Sequence, residues 1–308
     1  MKRLVHWWLT PMPAERLALL RIAIGSVTFI YLAIRLPHLL GLAQYTAQQF
    51  HPVGLTTVLS APLPAPLLVT TIALTLLSGA AFVLGLGFAV SGPAFALAFL
   101  WLTTYRSSFG MLFHTENLLA LHVLLLGASR AADALSLDAR RSRQPPPEAS
   151  PEYGWAVRAL CLVTVLAYFM AGAAKLKLAG GPWLEGELLR RHIAYDNLRK
   201  LEIGTYVFPL GPWLVRHREL FPVLAVGTML VELGAPFALV RARIAKVWVA
   251  AAWGFHVGVL LCMSIAFFYP LSGFAYLSFF PVERGWHWLQ ARRERARVAR
   301  VTAPRVEP

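Results

Sequence analysis

The sequence has little charge and almost no cysteine. Only 14% of its 308 residues are Asp, Glu, Lys or Arg, against about a quarter in soluble domains. Between Arg35 and Arg106 none of these four residue types occurs. The two cysteines, Cys161 and Cys262, both lie in apolar runs, which excludes a disulfide scaffold and a cysteine-based metal site. This composition excludes an ordinary soluble domain and predicts a membrane protein.

The motifs of common soluble enzymes are missing too. The sequence contains no phosphate-binding or dinucleotide-binding glycine fingerprint and no Gly-x-Ser-x-Gly. No cluster of histidine and cysteine has metal-ligand spacing, so no metal is expected. The formal net charge of +14 is concentrated in short loops and near the C-terminus. That distribution is typical of membrane orientation, so no nucleic-acid partner is expected.

Long hydrophobic runs are what the sequence does have, and they predict an all-α fold, a polytopic bundle of about eight transmembrane helices. A helix needs about 20 residues to cross the hydrocarbon core of a bilayer. The transmembrane domain is predicted over residues 1–290, followed by a basic, disordered cytoplasmic tail at 291–308. The predicted spans are residues 14–36, 67–90, 93–105, 117–135, 155–178, 220–240, 244–263 and 267–280.

Basic residues predict the orientation of this bundle. With an even number of spans, the N-terminus, the loops near residues 140 and 243, and the tail fall on one side of the bilayer. Lys and Arg are abundant in these segments, which indicates the cytoplasmic side of an inner membrane. The loop at 183–219, on the opposite side, is also basic, and its residues 188–200 are predicted to form an interfacial helix.

Several ionisable residues lie within the predicted spans or at their outer ends. Such groups are costly in lipid, and by default they face the bundle interior or a cavity. Each also has a purely structural explanation, since a lysine extends to the headgroups, a glutamate pairs with a cation, and histidines are satisfied inside cores. The residues concerned are Arg106, His114, His122, Lys175, Glu232 and His256.

Lys175 is the most reactive candidate in this group. Burial favours the neutral amine of a lysine, which is then able to accept a proton. A nearby Glu232 would oppose this by favouring the charged form. The sequence leaves open which of the two effects prevails.

The residues around Lys175 resemble a known family. Residues 168–176 read Tyr-Phe-Met-Ala-Gly-Ala-Ala-Lys-Leu, and residues 183–186 read Trp-Leu-Glu-Gly. These two blocks resemble the signature of the vitamin K-dependent gamma-carboxylases. His114 and the later Ser136-Leu137-Asp138 also resemble that family. The chain is thus similar to the horizontally transferred transmembrane (HTTM) domain group, whose bacterial members tend to carry residues like Glu232 and His256.

The resemblance implies an enzyme and a cofactor. In the carboxylases, the lysine matching Lys175 deprotonates reduced vitamin K, and oxygen then converts the quinol to an epoxide. The strong base formed on the way removes a proton from a glutamate, and carbon dioxide is captured. The resemblance implies Lys175 as catalytic base, His114 as its catalytic partner, a reduced quinone of the vitamin K or menaquinone type, and O2 and CO2 as co-substrates. The residues expected to bind the cofactor are Arg106, Trp183, Glu232 and His256.

Departures from the carboxylase pattern keep other functions open. Ala174 stands where the carboxylases have a second lysine, and residues 177–182 lengthen the link to Trp183. The chain also ends soon after the last predicted span, without the large portion that positions protein substrates. The alternatives are a non-catalytic maturation or export factor for a small secreted peptide, as in SdpB-type proteins, and a quinone- or lipid-binding subunit like DoxX. The expected partners are the bilayer and a peptide or small-molecule substrate.

Overall fold

The computed structural model describes residues 2–110, 114–142 and 149–302, and the described part is helical. Several 3-10 turns join or extend the α-helices, among them Gly54–Val58, Ala235–Leu239 and Phe274–Phe279. The helices are α1 (Lys2–Trp8), α2 (Ala14–Gly41), α3 (Ala65–Leu84), α4 (Phe88–Ser107), α5 (Asn117–Gly127), α6 (Leu137–Ser142), α7 (Pro151–Ala179), α8 (Gly181–Leu184), α9 (Glu187–Glu202), α10 (Leu210–Val215), α11 (Phe221–Leu233), α12 (Ala242–Met263), α13 (Phe268–Leu271) and α14 (Val282–Thr302).

Within the described residues, the chain passes between two ends of the bundle eight times, as predicted. We call one of these the first end. There, Arg16 of α2 forms an ion pair with Glu283 of α14, and Met12 pairs with Ser150 through the backbone. At the second end, the Asn197 side chain of α9 donates to the Cys262 carbonyl of α12, 2.8 Å away. The eight passes are α2, α3, α4, α5, α7, α11 with Ala235–Leu239, α12, and α13 with Phe274–Phe279.

Five helices in the described part are long and apolar enough to cross a membrane: α2, α3, α4, α7 and α12. The fourth pass, α5, is a shorter apolar helix. The sixth is interrupted after Gly234, because Pro236 has no N–H to continue the helical hydrogen bonds. The eighth consists of short turns around Gly273, whose φ of 79° is left-handed. The all-α membrane bundle is confirmed, although three of its passes are short or irregular.

Two polar residues at the first end fix helix boundaries that differ from the predicted ones. The Asp138 carboxylate accepts hydrogen bonds from the N–H groups of Gly87 (2.9 Å) and Phe88 (2.8 Å). These bonds begin α4 at Phe88, five residues before the predicted start. The N–H groups of Phe88 and Gly87 also hold the pKa of the Asp138 carboxyl below its usual value. The fully buried Arg21 donates to the Ala131 and Leu135 carbonyls, so the predicted fourth span ends early in turns held by Arg21.

The interfacial helix predicted at 188–200 is present as α9, which packs at the second end. Its first residue, Glu187, accepts hydrogen bonds from Arg190 and Arg191. These two guanidinium groups lower the pKa of the Glu187 carboxyl to about 2. Near its end, Lys200 donates to the Met263 carbonyl at 2.6 Å and so covers the C-terminus of α12.

The tail at 291–308, predicted to be disordered, is helical in the part that the structure describes. Helix α14 continues through residue 302, and residues 303–308 lie outside the described part. Between residues 289 and 302, strong helix formers such as Leu, Gln, Ala, Arg and Glu are frequent, and no glycine or proline occurs. The local sequence therefore continues the helix, although its side chains from Leu289 to Val298 are exposed.

Candidate functional site

Helix α7 provides three residues of the site. The Ser150 side chain accepts a hydrogen bond from the N–H of Glu152, and Pro151 follows in the first turn, so the helix starts with a regular cap. It runs for 29 residues and ends at Ala179, with Gly180 as its C-cap. Tyr168, Gly172 and Lys175 are spaced by four and three residues, which places all three on one face. Lys175 lies about 6 Å from the end of the helix, at ~1.5 Å per residue.

The central contact is an ion pair between α7 and α11. Lys175 Nζ donates to Glu232 Oε1. The Glu232 side chain is 3% exposed and that of Lys175 is 26% exposed. The second carboxylate oxygen, Glu232 Oε2, is buried and has no hydrogen-bond partner among the described residues. The pair therefore neutralises two charges within the bundle and leaves one acceptor atom unused.

Gly172 is what allows the two helices to approach each other. A Cβ atom at this position would lie 2.9 Å from Glu232 Cβ and 3.0 Å from a methyl group of Leu233. Both distances are shorter than ordinary van der Waals contacts. The glycine one turn before Lys175 is thus needed for α11 to bring its carboxylate within reach.

Aromatic rings surround the lysine head group. Nζ of Lys175 lies 5.0 Å from the ring centre of Trp183 and 5.7 Å from that of Phe255. Both distances fall in the range of cation–π contacts. Trp183 is 7% exposed and packs on Ala225 and Met229 of α11. The prediction that Trp183 belongs to this site is consistent with its position beside Nζ.

His256 of α12 contacts the same face of α7 at Tyr168, two turns before Lys175. Its Nε2 is 2.7 Å from the hydroxyl of Tyr168, which is 2.5 Å from the hydroxyl of Tyr276. The other ring nitrogen, Nδ1, is buried without a partner in the described part. The Phe255 ring lies 5.2 Å from the His256 ring and also faces Lys175. His256 and the ion pair are thus neighbours along α7, with Phe255 between them.

Arg106, one of the predicted site residues, has other surroundings. Arg106 forms an ion pair with Glu116 at 2.7 Å and donates to the Tyr31 hydroxyl. The backbone of His114 begins a 3-10 turn, and its side chain lies outside the described part. Cofactor contact by Arg106 and catalysis by His114 therefore stay predictions. His122 is buried between the Tyr269 and Thr164 hydroxyls, in agreement with a satisfied interior histidine.

Three residues of the site were not predicted from the sequence: Tyr168, Phe255 and Tyr276. Tyr168 could have been found, because it lies seven residues before Lys175, which is two helical turns. Phe255 and Tyr276 offered no such signal, since their importance comes from contacts between distant passes. Tyr276 also lies in an irregular segment, where periodicity predicts no direction for a side chain.

The arrangement offers an acid–base pair inside a membrane bundle and an aromatic wall beside it. Three buried polar atoms of the site have no partner in the described part: Glu232 Oε2, His256 Nδ1 and Trp183 Nε1. Among known families, the sequence model of the HTTM domain matches residues 9–285. No curated protein and no solved structure matches the chain. The domain match covers most of the chain and all eight passes. The protein is therefore an integral membrane protein that belongs to the HTTM domain family.

Proposed function

We propose that this protein is a membrane enzyme of the gamma-carboxylase type, in which the Lys175–Glu232 pair accepts a proton from a reduced quinone. The observation that carries the proposal is the pair itself. Lys175 Nζ is bonded to a buried carboxylate whose second oxygen has no partner in the described part. A buried ionisable pair on two facing helices is uncommon in a membrane protein and is a candidate functional site by default.

The residues present fit a quinol of the vitamin K or menaquinone type. Such a molecule has a flat apolar ring and two hydroxyl groups, and it dissolves in the bilayer. The rings of Trp183 and Phe255 lie beside Nζ and would hold the flat ring. Glu232 Oε2, His256 Nδ1 and Trp183 Nε1 are buried without a partner in the described part, and they are the polar atoms that would meet its oxygens. In the carboxylases, O2 oxidises the reduced quinone to its epoxide, and water is the other product.

The protein's own contribution is to hold and move one proton. In the ion pair, Lys175 carries three protons on Nζ and cannot accept another. Transfer of one of them to Glu232 gives a neutral amine and a neutral carboxylic acid, a form that low polarity favours. The amine lone pair then accepts a hydroxyl proton from the bound ligand. Burial of Glu232 keeps water away from this exchange.

The acceptor of the proposed carboxylation is a peptide or small molecule that approaches from the second end, with CO2 as co-substrate. Lys175 lies toward the second end, near the C-terminus of α7. The first end collects α1, α6, the start of α12 and the arginine-rich α14. By the positive-inside rule, we propose that the first end is cytoplasmic, with both termini, and that the site lies in the outer half of an inner membrane.

The test is quinone epoxidation by the reconstituted protein. Proteoliposomes would receive reduced menaquinone or vitamin K, O2 and bicarbonate, and the quinone epoxide would be measured by chromatography. We expect Lys175→Ala to lower the rate by at least about 100-fold, the usual scale for loss of an acid–base group. Lys177→Ala is the matched control, because Lys177 is exposed and two residues further on the same helix.

Epoxide formation by Lys175→Ala at the wild-type rate would remove the proposed base. A wild-type protein that forms no epoxide would instead favour the alternatives. Co-purification of a small secreted peptide would then favour a maturation or export factor. Co-purification of a redox partner would favour a quinone- or lipid-binding subunit.

A further inference from the structure

Helix α14 leaves the bundle soon after it begins. Its start is held at the first end, where the Arg16 side chain donates to Glu283 Oε2 at 2.8 Å and Glu283 is buried. From His287 to Val298, by contrast, every side chain is exposed. A helix segment of this length without tertiary packing is only marginally stable in water. We therefore expect this part of α14 to be covered by something outside the chain.

The exposed part of α14 is strongly basic. Residues 292–300 contain five arginines and one glutamate, which gives this stretch a net charge of +4. The other glutamate of the helix, Glu283, does not offset this charge, because it is already bonded to Arg16. Charge complementarity therefore favours a negatively charged occupant.

One face of the helix combines arginines with an aromatic ring. Trp288, Arg292 and Arg295 are spaced by four and three residues, so their side chains lie on the same face. The Arg292 guanidinium carbon is 4.8 Å from the centre of the Trp288 ring, which is a cation–π contact along this face. Glu294 follows Arg292 by two residues, about 200° around the helix. The face thus has cations and a tryptophan, and the acidic residue of the stretch points away from it.

The position of α14 decides which negatively charged partner fits this face. The helix begins at Val282, directly after the eighth pass ends, so it starts at the surface of the bilayer. Tryptophan and arginine beside a span are the residue types that contact lipid headgroups. We propose that α14 lies along the bilayer surface at the first end, with Trp288, Arg292 and Arg295 bound to anionic lipid headgroups.

The contact requires the helix to lie flat. Arg292 and Arg295 follow Val282 by ten and thirteen residues, which is about 15–20 Å along a helix. On an upright helix, both would be farther from the headgroups than the Debye length of about 8 Å at physiological ionic strength. On a flat helix, each arginine raises the ratio of docked to free helix about fivefold, the equivalent of about 1 kcal/mol.

A fluorescent label tests the contact in the full-length protein in nanodiscs, which have the same lipids on both faces and so require no assumption about orientation. The environment-sensitive dye NBD would be attached at Ala291→Cys, beside the proposed lipid face, or at Gln290→Cys, on the opposite face, with Cys161 and Cys262 replaced by Ser. Adding phosphatidylglycerol to phosphatidylcholine discs should shift the emission of the Ala291 label to the blue and leave the Gln290 label unchanged. NaCl at 1 M, which shortens the Debye length to about 3 Å, should reverse the shift.

Two pairs of substitutions show whether the arginines of this face are responsible. Arg292→Gln with Arg295→Gln should lower the ratio of docked to free helix about 25-fold, since each arginine contributes about fivefold. Arg241→Gln with Arg243→Gln is the matched control, because it removes the same charge from exposed positions at the same end of the bundle. The control should leave the response of the Ala291 label unchanged.

Three results overturn the proposal. They are equal emission of the Ala291 label in the two kinds of disc, equal shifts of the Ala291 and Gln290 labels, and a response to phosphatidylglycerol that survives Arg292→Gln with Arg295→Gln. A label that responds to soluble polyglutamate and not to phosphatidylglycerol also overturns it, and identifies an acidic protein as the occupant. Epoxidation plays no part in this readout, so the result is independent of the proposed function.

Discussion

The two partners of the ion pair between α7 and α11 are unequally buried, so we expect their substitutions to lower stability by different amounts. Replacing Lys175 with Met leaves Glu232 charged, 3% exposed and without its partner. Removing one partner of a buried pair costs about 3–5 kcal/mol, and the lower value applies because Lys175 is itself partly exposed. We therefore expect Lys175→Met to lower the free energy of unfolding by about 3 kcal/mol.

Replacing the carboxylate instead of the lysine should lower the free energy of unfolding by a smaller amount. In Glu232→Gln, the lysine that remains is one turn from the helix end, and a quarter of its side chain is exposed. Its flexible chain can turn its ammonium group toward the headgroups, as lysines at span ends do. We expect a loss of about 1 kcal/mol for Glu232→Gln, near the value for an uncharged hydrogen bond. The double variant should then be more stable than Lys175→Met alone.

The measurement is unfolding in mixed micelles with increasing SDS, followed by circular dichroism for both single variants, the double variant and the exposed control Lys177→Met. The free energies of the wild type, the two single variants and the double variant form a double-mutant cycle around the pair, and Lys177→Met lies outside it as the control. A loss in Glu232→Gln equal to or larger than that in Lys175→Met would refute the reasoning. So would a double variant no more stable than Lys175→Met, because no charge would then have been left buried.

Three further predictions follow, one about helix packing at the site and two about polar contacts at the first end of the bundle. Gly172→Ala should separate α7 from α11, lower the free energy of unfolding by about 1–3 kcal/mol and abolish any epoxidation. In the control Gly227→Ala, the added methyl group meets open space, so neither stability nor activity should change. Unfolding and epoxidation assays compare the two variants. Arg21→Met should cost about 2–3 kcal/mol in the same unfolding assay, because two buried carbonyls lose their donor. The folded-state pKa of Asp138 is depressed, so its stabilisation is present above the unfolded pKa and lost as pH falls through the folded one. Asp138→Asn should therefore unfold at a lower temperature than wild type at pH 7 and lose less stability between pH 5 and 3, as thermal melts would show.

The fold was largely predictable because each pass of a membrane bundle is encoded locally. The interval without charge from residue 36 to residue 105 contains the long helices α3 and α4, and hydrophobicity alone predicts them. Helix ends were less predictable, since several depend on distant residues. The start of α4 is fixed by a hydrogen bond from Phe88 to the Asp138 carboxylate, fifty residues further along the chain. A pattern of hydrophobic residues contains no information about such a contact.

The sequence predicted which ionisable residues belong to the site, but it did not predict which of them contact each other. Ionisable residues are rare in hydrophobic spans and therefore stand out in the sequence, so Lys175, Glu232 and His256 were all recognised from it. Whether two such residues meet depends on which helices pack together, and Lys175 and Glu232 are 57 residues apart. Tyr276 was missed because hydroxyl-bearing tyrosines are ordinary residues of membrane helices and its pass is irregular. Only the three-dimensional packing shows that it ends a hydrogen-bonded chain.

The partial exposure of Lys175 and the complete burial of Glu232 together suit a proton acceptor better than a purely structural pair. A structural pair is most stable when both partners are equally enclosed and every oxygen is bonded. Here one carboxylate oxygen is buried and unused, while the amine lies next to aromatic rings at the edge of the bundle. A hydroxyl-bearing ligand that reaches the pair from the lipid would satisfy that oxygen before any proton moves. Binding would then be strongest for a ligand that donates a hydrogen bond, so a quinol should bind more tightly than the corresponding oxidised quinone. Competition between the two forms in the same bilayers measures this difference, and equal affinities would contradict a direct contact with Glu232.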